Sequence, residues 1–147
     1  TETQMKEALR EVNLSDFVEK SGGLDFVLLE KASNLSGGQK QRLSLARALL
    51  HDTPIYIFDE ATSNVDVESE NDIMAVVRKL AKTKTVLLIS HRLANVVSAD
   101  QIYVLKDGMI VEKGQHEVLC KEDGYYHRLF RQQSALEQFG KGAVANE

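Results

Sequence analysis

Two short apolar runs separated by one helical segment constrain this chain more than any other feature. Pro54-Ile55-Tyr56-Ile57-Phe58 leads into Asp59-Glu60, and Thr85-Val86-Leu87-Leu88-Ile89 leads into Ser90. Each run is too short for a helix and carries no charge, which predicts strands buried on both faces. Between them Ile73, Val76, Val77 and Leu80 recur at helical spacing. Strand, helix, strand in this order makes a βαβ unit with parallel strands, so the fold class is α/β.

The flanking segments fit around that unit. Met5, Leu9 and Val12 mark a first amphipathic helix. Phe17 and Val18 open a short second helix that stops near Ser21-Gly22-Gly23. Residues 24–34 read as loop. Ser36 is placed to cap a helix whose buried stripe is Leu43, Ala46, Leu49 and Leu50. After a short helix near Leu93 to Val97, Ile102 to Leu105 is a third strand. The pair Asp107-Gly108 turns it into an antiparallel partner at Met109 to Val111. Two helices close the chain, one near His116 to Cys120 and one from Tyr125 to about Gln138, with a loose tail after Gly140.

Composition excludes several classes. A net charge of −4 argues against a nucleic-acid footprint over the whole surface. The single cysteine, Cys120, excludes an internal disulfide framework and reads as a packing residue in a reducing compartment. No apolar run approaches the ~20 residues that a membrane-spanning helix needs. Thr1 to Arg10 has no apolar core and does not read as a signal peptide.

Three places can carry chemistry. Leu35-Ser36-Gly37-Gly38-Gln39 stands at a helix start, where free amides and the helix dipole favour an anion. It fits a phosphate cradle, and it equally fits a serine-capped helix after a glycine turn. Asp59-Glu60 ends a buried strand at the edge where parallel sheets bind ligands. One acid there can hold Mg²⁺ and the other can deprotonate a water; two solvated acids are the plainer reading. Ser90-His91-Arg92 ends the second strand on the same edge, so His91 is placed to meet a terminal phosphate or to serve as a cap. His51, His116 and His127 have no such setting.

In this order the three places resemble the ABC ATPase family. Leu35-Ser36-Gly37-Gly38-Gln39 matches the family signature, and the match continues through Lys40-Gln41-Arg42 and Ala46-Arg47-Ala48-Leu49. Ile55 to Asp59 looks like the Walker B strand, Ser63-Asn64-Val65-Asp66 falls at the D-loop, and the similarity spans roughly residues 35 to 130. The resemblance implies Glu60 as catalytic base, His91 as switch histidine, Asp59 as Mg²⁺ ligand, and Ser36, Gly37, Gly38, Gln39 and Asp66 as nucleotide contacts. ATP and Mg²⁺ are the implied cofactors. The wording Asp59-Glu60-Ala61-Thr62-Ser63 and Ile89-Ser90-His91-Arg92-Leu93 is similar to exporters, including bacterial thiol exporters linked to cytochrome assembly. Two departures stand out. The D-loop reads Ser-Asn-Val-Asp, not Ser-Ala-Leu-Asp, and the loop 29–34 lacks the usual Gly-Glu-Arg-Gly ending.

The phosphate-binding pattern Gly-x₄-Gly-Lys-Ser/Thr does not occur in this sequence. The resemblance therefore implies the C-terminal portion of an incomplete P-loop NTPase sheet of the RecA-like type. Residues 1–52 are the remnant of the helical subdomain, 53–122 the C-terminal part of the ATPase core, and 123–147 a terminal helix and tail. The missing strand belongs between the strand before His91 and that at Ile102 to Leu105, so its absence is expected to leave open edges and apolar faces. Alone, the chain is expected to bind ATP very weakly and not turn it over. Within a complete exporter it would pair with a second ABC ATPase domain and a transmembrane domain, on the cytoplasmic face of the plasma membrane, with no nucleic-acid partner. The competing reading is a regulatory module that lends its signature to a partner ATPase.

Overall fold

A computed structural model describes residues 1–144. The chain divides into two units, Thr1–Ile89 and Ser90–Glu147, each considered by itself.

The first unit contains helices α1 (Glu2–Glu11), α2 (Ser15–Lys20) and α3 (Gly37–His51), strand β1 (Ile55–Asp59), helix α4 (Val67–Leu80) and strand β2 (Thr85–Ile89). α1 starts with a reciprocal capping box between Thr1 and Gln4. β1 and β2 pair in parallel, with Ile57 opposite Leu87 and Asp59 opposite Ile89, as the βαβ reading requires. Tyr56 and Phe58 point into a core with Val12, Leu45, Ala46, Ile73, Met74 and Val77. Their rings stack with centroids 6.2 Å apart.

Three expectations change here. The strands are covered on one face only: Tyr56 and Phe58 are buried, while Ile55 and Ile57 are 58% and 66% exposed. Leu87 and Ile89 lie exposed on the same open face as Ile57, because paired residues of a parallel register share a side. An unbroken apolar run reports that two covers are needed, and the described residues supply one. In α3 the buried residues are Gly38, Leu45 and Ala46, and Leu50 is exposed. The face turned toward α1 and α4 thus passes through Leu45, not Leu50. In α1, Met5 is also exposed.

The second unit holds strands β3 (Ile102–Lys106) and β4 (Met109–Gly114) and helices α5 (His116–Lys121) and α6 (Tyr125–Val144). β3 and β4 pair antiparallel through the expected turn, in which Asp107 and Gly108 both have positive φ, 52° and 76°. A register shift follows Val104. Among the described residues this hairpin forms a two-stranded sheet separate from that of β1 and β2. Ile102, Val104, Leu119 and Tyr126 form its core. Helix α6 runs on to Val144, past the expected end near Gln138 and through part of the expected tail; the rest of that tail lies outside the described residues. The short segment at Leu93–Asn95 is a single 3₁₀ turn.

Candidate functional site

The start of α3 is built by its own side chains. Ser36 Oγ accepts the backbone N–H of Gln39 at 3.2 Å, and Gln39 Oε1 accepts the backbone N–H of Ser36 at 2.9 Å. This closes a capping box and leaves the N–H groups of Gly37 and Gly38 and the Ser36 hydroxyl hydrogen for another acceptor. Gly37 is exposed and Gly38 is buried. The structure supplies a packing reason for the second glycine. A methyl group at Gly38 would stand 2.1 Å from Ser69 Oγ and 3.1 Å from Asp66 Oδ1.

Asp66 caps α4. Its Oδ2 accepts the backbone N–H of Ser69 and its Oδ1 accepts the Ser69 hydroxyl, both at 2.8 Å. These bonds from Ser69, the backbone one foremost, hold the Asp66 carboxyl below its ordinary value. One turn further along the same two helices, Arg42 and Asp72 form an ion pair at 2.9 Å. Arg42 also donates to the carbonyl of Asn13, whose amide reaches Asp72 at 3.2 Å. Ser69 and Asp72 were not singled out from sequence, and Arg42 stood there only within the family match. The Asp66-x-x-Ser69 spacing at a helix start was the available signal, while the Arg42 and Asp72 pairing had none.

Asp59 and Glu60 are exposed at the C-terminal end of β1. The Glu60 N–H donates to the Ile89 carbonyl at 3.0 Å, which extends the sheet by one bond. Glu60 has φ of +48°, so the chain leaves the strand at this residue in the left-handed region. The Glu60 carbonyl then accepts the Ser63 N–H, turning the chain toward Asp66. Among the described residues no three acidic, histidine or cysteine side chains gather to hold a metal. A single carboxylate fits only an ion whose other ligands are water and phosphate oxygens, which is the habit of Mg²⁺.

His91 belongs to the second unit and is exposed. Ser90 holds its turn by accepting the Arg92 N–H at 3.0 Å. The Gln133 side chain of α6 donates to the His91 carbonyl and accepts the Leu93 N–H, both at 2.6 Å. Gln133 lies far along the chain and carried no sequence signal. The structure thus brings Gly38 against Asp66 and Ser69, and puts Asp59 and Glu60 beside the end of β2; it describes His91 in its own unit.

The chain is similar to ABC transporter proteins. The ABC transporter family profile matches residues 1–63. An uncharacterized ABC transporter ATP-binding protein of Haemophilus influenzae is 52% identical over 145 residues, which cover 99% of this chain and 26% of that protein. An ATP-dependent lipid A-core flippase of Vibrio cholerae is 47% identical over 89% of this chain and 23% of its own length. The solved structure of a bacterial Atm1-family ABC exporter with ATP bound superposes with a TM-score of 0.85 at 35% identity, covering 91% of this chain and 24% of that one. The chain thus spans about a quarter of the length of the relatives it matches. No described helix is long and apolar enough to cross a membrane.

Proposed function

We propose that the chain is part of the ATP-binding domain of an exporter-type ABC transporter and takes part in coupling ATP binding and hydrolysis to export. The observation that carries this is the start of α3. It offers two amides and a hydroxyl hydrogen to an anion while its own cap is satisfied. In this reading Ser36, Gly37, Gly38 and Gln39 meet the phosphates of a nucleotide held by a partner ATPase domain, and Asp66 stands beside them. Asp59 holds Mg²⁺, which supplies charge neutralisation on the phosphates. Glu60 accepts the proton of the attacking water, and His91 contacts the terminal phosphate.

The partners in this reading are a second ABC ATPase domain and a transmembrane domain at the cytoplasmic face of the plasma membrane. Residues 1–52 serve as part of the helical subdomain, 53–122 as part of the catalytic core, and 123–147 as the terminal helix and tail. The chain has no phosphate-binding lysine motif of its own, so it requires a segment that carries one.

Calorimetry of Mg-ATP with the chain alone, and then mixed with a purified P-loop-bearing segment, tests this. No binding alone and binding on mixing is the expected result. Tight binding by the chain alone would refute the division of labour. In the complete assembly, Glu60→Gln is expected to keep ATP binding and lose turnover; full turnover in that variant would remove Glu60 from the base role.

A further inference from the structure

The contact between the starts of α3 and α4 is closer than two helices need for packing alone. Gly38 is buried against Ser69, and Ser69 is itself 4% exposed. A methyl group at Gly38 would fall 2.7 Å from Ser69 Cβ, so the two backbones approach only because one residue lacks a side chain. A methyl group at Gly37 would stand 3.4 Å from the carbonyl oxygen of Asn64, so the adjoining loop also lies against the helix start. The Ser69 hydroxyl is donated to Asp66 Oδ1, the carboxylate oxygen that would stand 3.1 Å from a methyl group at Gly38. One small side chain therefore touches the amide-bearing turn of α3 and fixes the carboxylate that ends the 63–66 loop. The Arg42–Asp72 pair, one turn on, joins the same two helices a second time.

We propose that Ser69 is a positioning residue that locks the start of α3 and the 63–66 loop into one rigid body, so that both are presented to nucleotide together. The proposal rests on the ATPase reading for its functional consequence, but the lock itself is a property of this chain. Ser69 does not touch nucleotide in this scheme; it acts through Gly38 and Asp66. The D-loop departure, Asn64 and Val65, sits within the locked loop, which ends at the Asp66 carboxylate that Ser69 holds. Asn64 takes the positive φ of 57° that this turn requires, a region that asparagine tolerates better than most residues.

Ser69→Ala deletes the hydroxyl and keeps the Cβ that packs on Gly38. Amide hydrogen exchange on the 147-residue chain is the first readout. Faster exchange is expected together at Gln39 and Ser63, whose N–H groups are bonded to Ser36 Oγ and to the Glu60 carbonyl. Acceleration confined to α4, or none, would overturn the lock. In the complete assembly, kcat for ATP is expected to fall about tenfold with KM little changed, the size set by one hydrogen bond to a charged group. An unchanged kcat would overturn the positioning role. The double variant Gly38→Ala with Ser69→Gly separates packing from positioning. It relieves the clash, so stability should recover while kcat stays low; recovery of both would reduce Ser69 to a packing residue. If the wild-type assembly shows no turnover at all, the ATPase reading fails, while the exchange result still decides the lock.

Discussion

The carboxylate of Glu112 accepts the backbone N–H groups of Tyr125 and Tyr126, the latter at 2.8 Å, so strand β4 caps helix α6. A helix start without a local serine, threonine or aspartate cap borrows one from the sheet. Gly124 makes room for it, since a methyl group there would stand 2.2 Å from Glu112 Oε1. Glu112→Ala is expected to destabilise the second unit by about 1 kcal/mol, the usual worth of a helix cap. Urea unfolding followed by tyrosine fluorescence measures it.

Gly38→Ala is expected to cost roughly 1–3 kcal/mol, because the added methyl has no free space and Ser69 is held by two bonds. Gly37→Ala, whose nearest neighbour would be at 3.4 Å, should cost clearly less. Denaturant melts of the two single variants provide the comparison.

Arg42 is 16% exposed and Asp72 is 25% exposed, so their pair is shielded from solvent. Arg42→Ala leaves the Asp72 carboxylate and the Asn13 carbonyl short of a donor and is expected to cost about 1–3 kcal/mol. Arg42→Lys should recover part of this, since both bonds come from the single nitrogen Nη1 and an ammonium reaching that point can donate both. Thermal unfolding of both variants tests the order.

Asp66 has a lowered pKa because the Ser69 N–H and hydroxyl bind its charged form. A carboxylate with a depressed folded pKa contributes stability that is present above the ordinary value of 3.8 and is lost as pH falls through the lower folded value. Ser69→Ala removes one of the two bonds, so the folded value should rise toward 3.8 and the contribution should shrink. Carbon-detected NMR titration of the Asp66 carboxyl in both proteins reads the direction. Tyr126 moves the other way. Burial, and secondarily Cys120 nearby, pushes its hydroxyl up to about 12. Its neutral form is favoured in the fold, so this contribution is complete below 10.0 and is lost as pH rises toward 12. An ultraviolet titration should show one tyrosine ionising last, and Tyr126→Phe should remove that step along with the 2.9 Å bond to His116.

The βαβ unit, the Asp107-Gly108 hairpin and the Ser36 cap were legible because each rests on local chemistry: an unbroken apolar run, a pair that tolerates positive φ, a hydroxyl before a helix. What failed depends on neighbours. Ile55 and Ile57 read as doubly buried because β propensity and apolarity describe what a residue can face, not whether the second cover is present. Leu50 and Leu45 are equally apolar, and only the direction of approach of α1 and α4 chooses between them. The Gly38 requirement was visible as a glycine, but its cause, Ser69, stands on another helix. Gln133, which holds the His91 turn, is an ordinary glutamine on a helix and is marked by nothing in the sequence.

The open face of the β1–β2 sheet has a practical result. Ile57 and Leu87 are 66% and 50% exposed side by side, which favours association in solution. Ile57→Lys should lower static light scattering of the 147-residue chain at equal concentration without loss of helical signal by circular dichroism. Loss of that signal would mean that Ile57 supports the core.

Glu60 sits in the left-handed region at φ of +48°, a conformation that costs an ordinary L-residue about 1 kcal/mol or more. Glycine would relax there, so a library sorted only for resistance to heat or protease should enrich Glu60→Gly. Such sorting would discard the carboxylate proposed for proton transfer. Any effort to harden this chain therefore has to hold position 60 fixed, and the preference a stability screen shows at that one site becomes a gauge of how far folding and turnover pull the backbone in opposite directions.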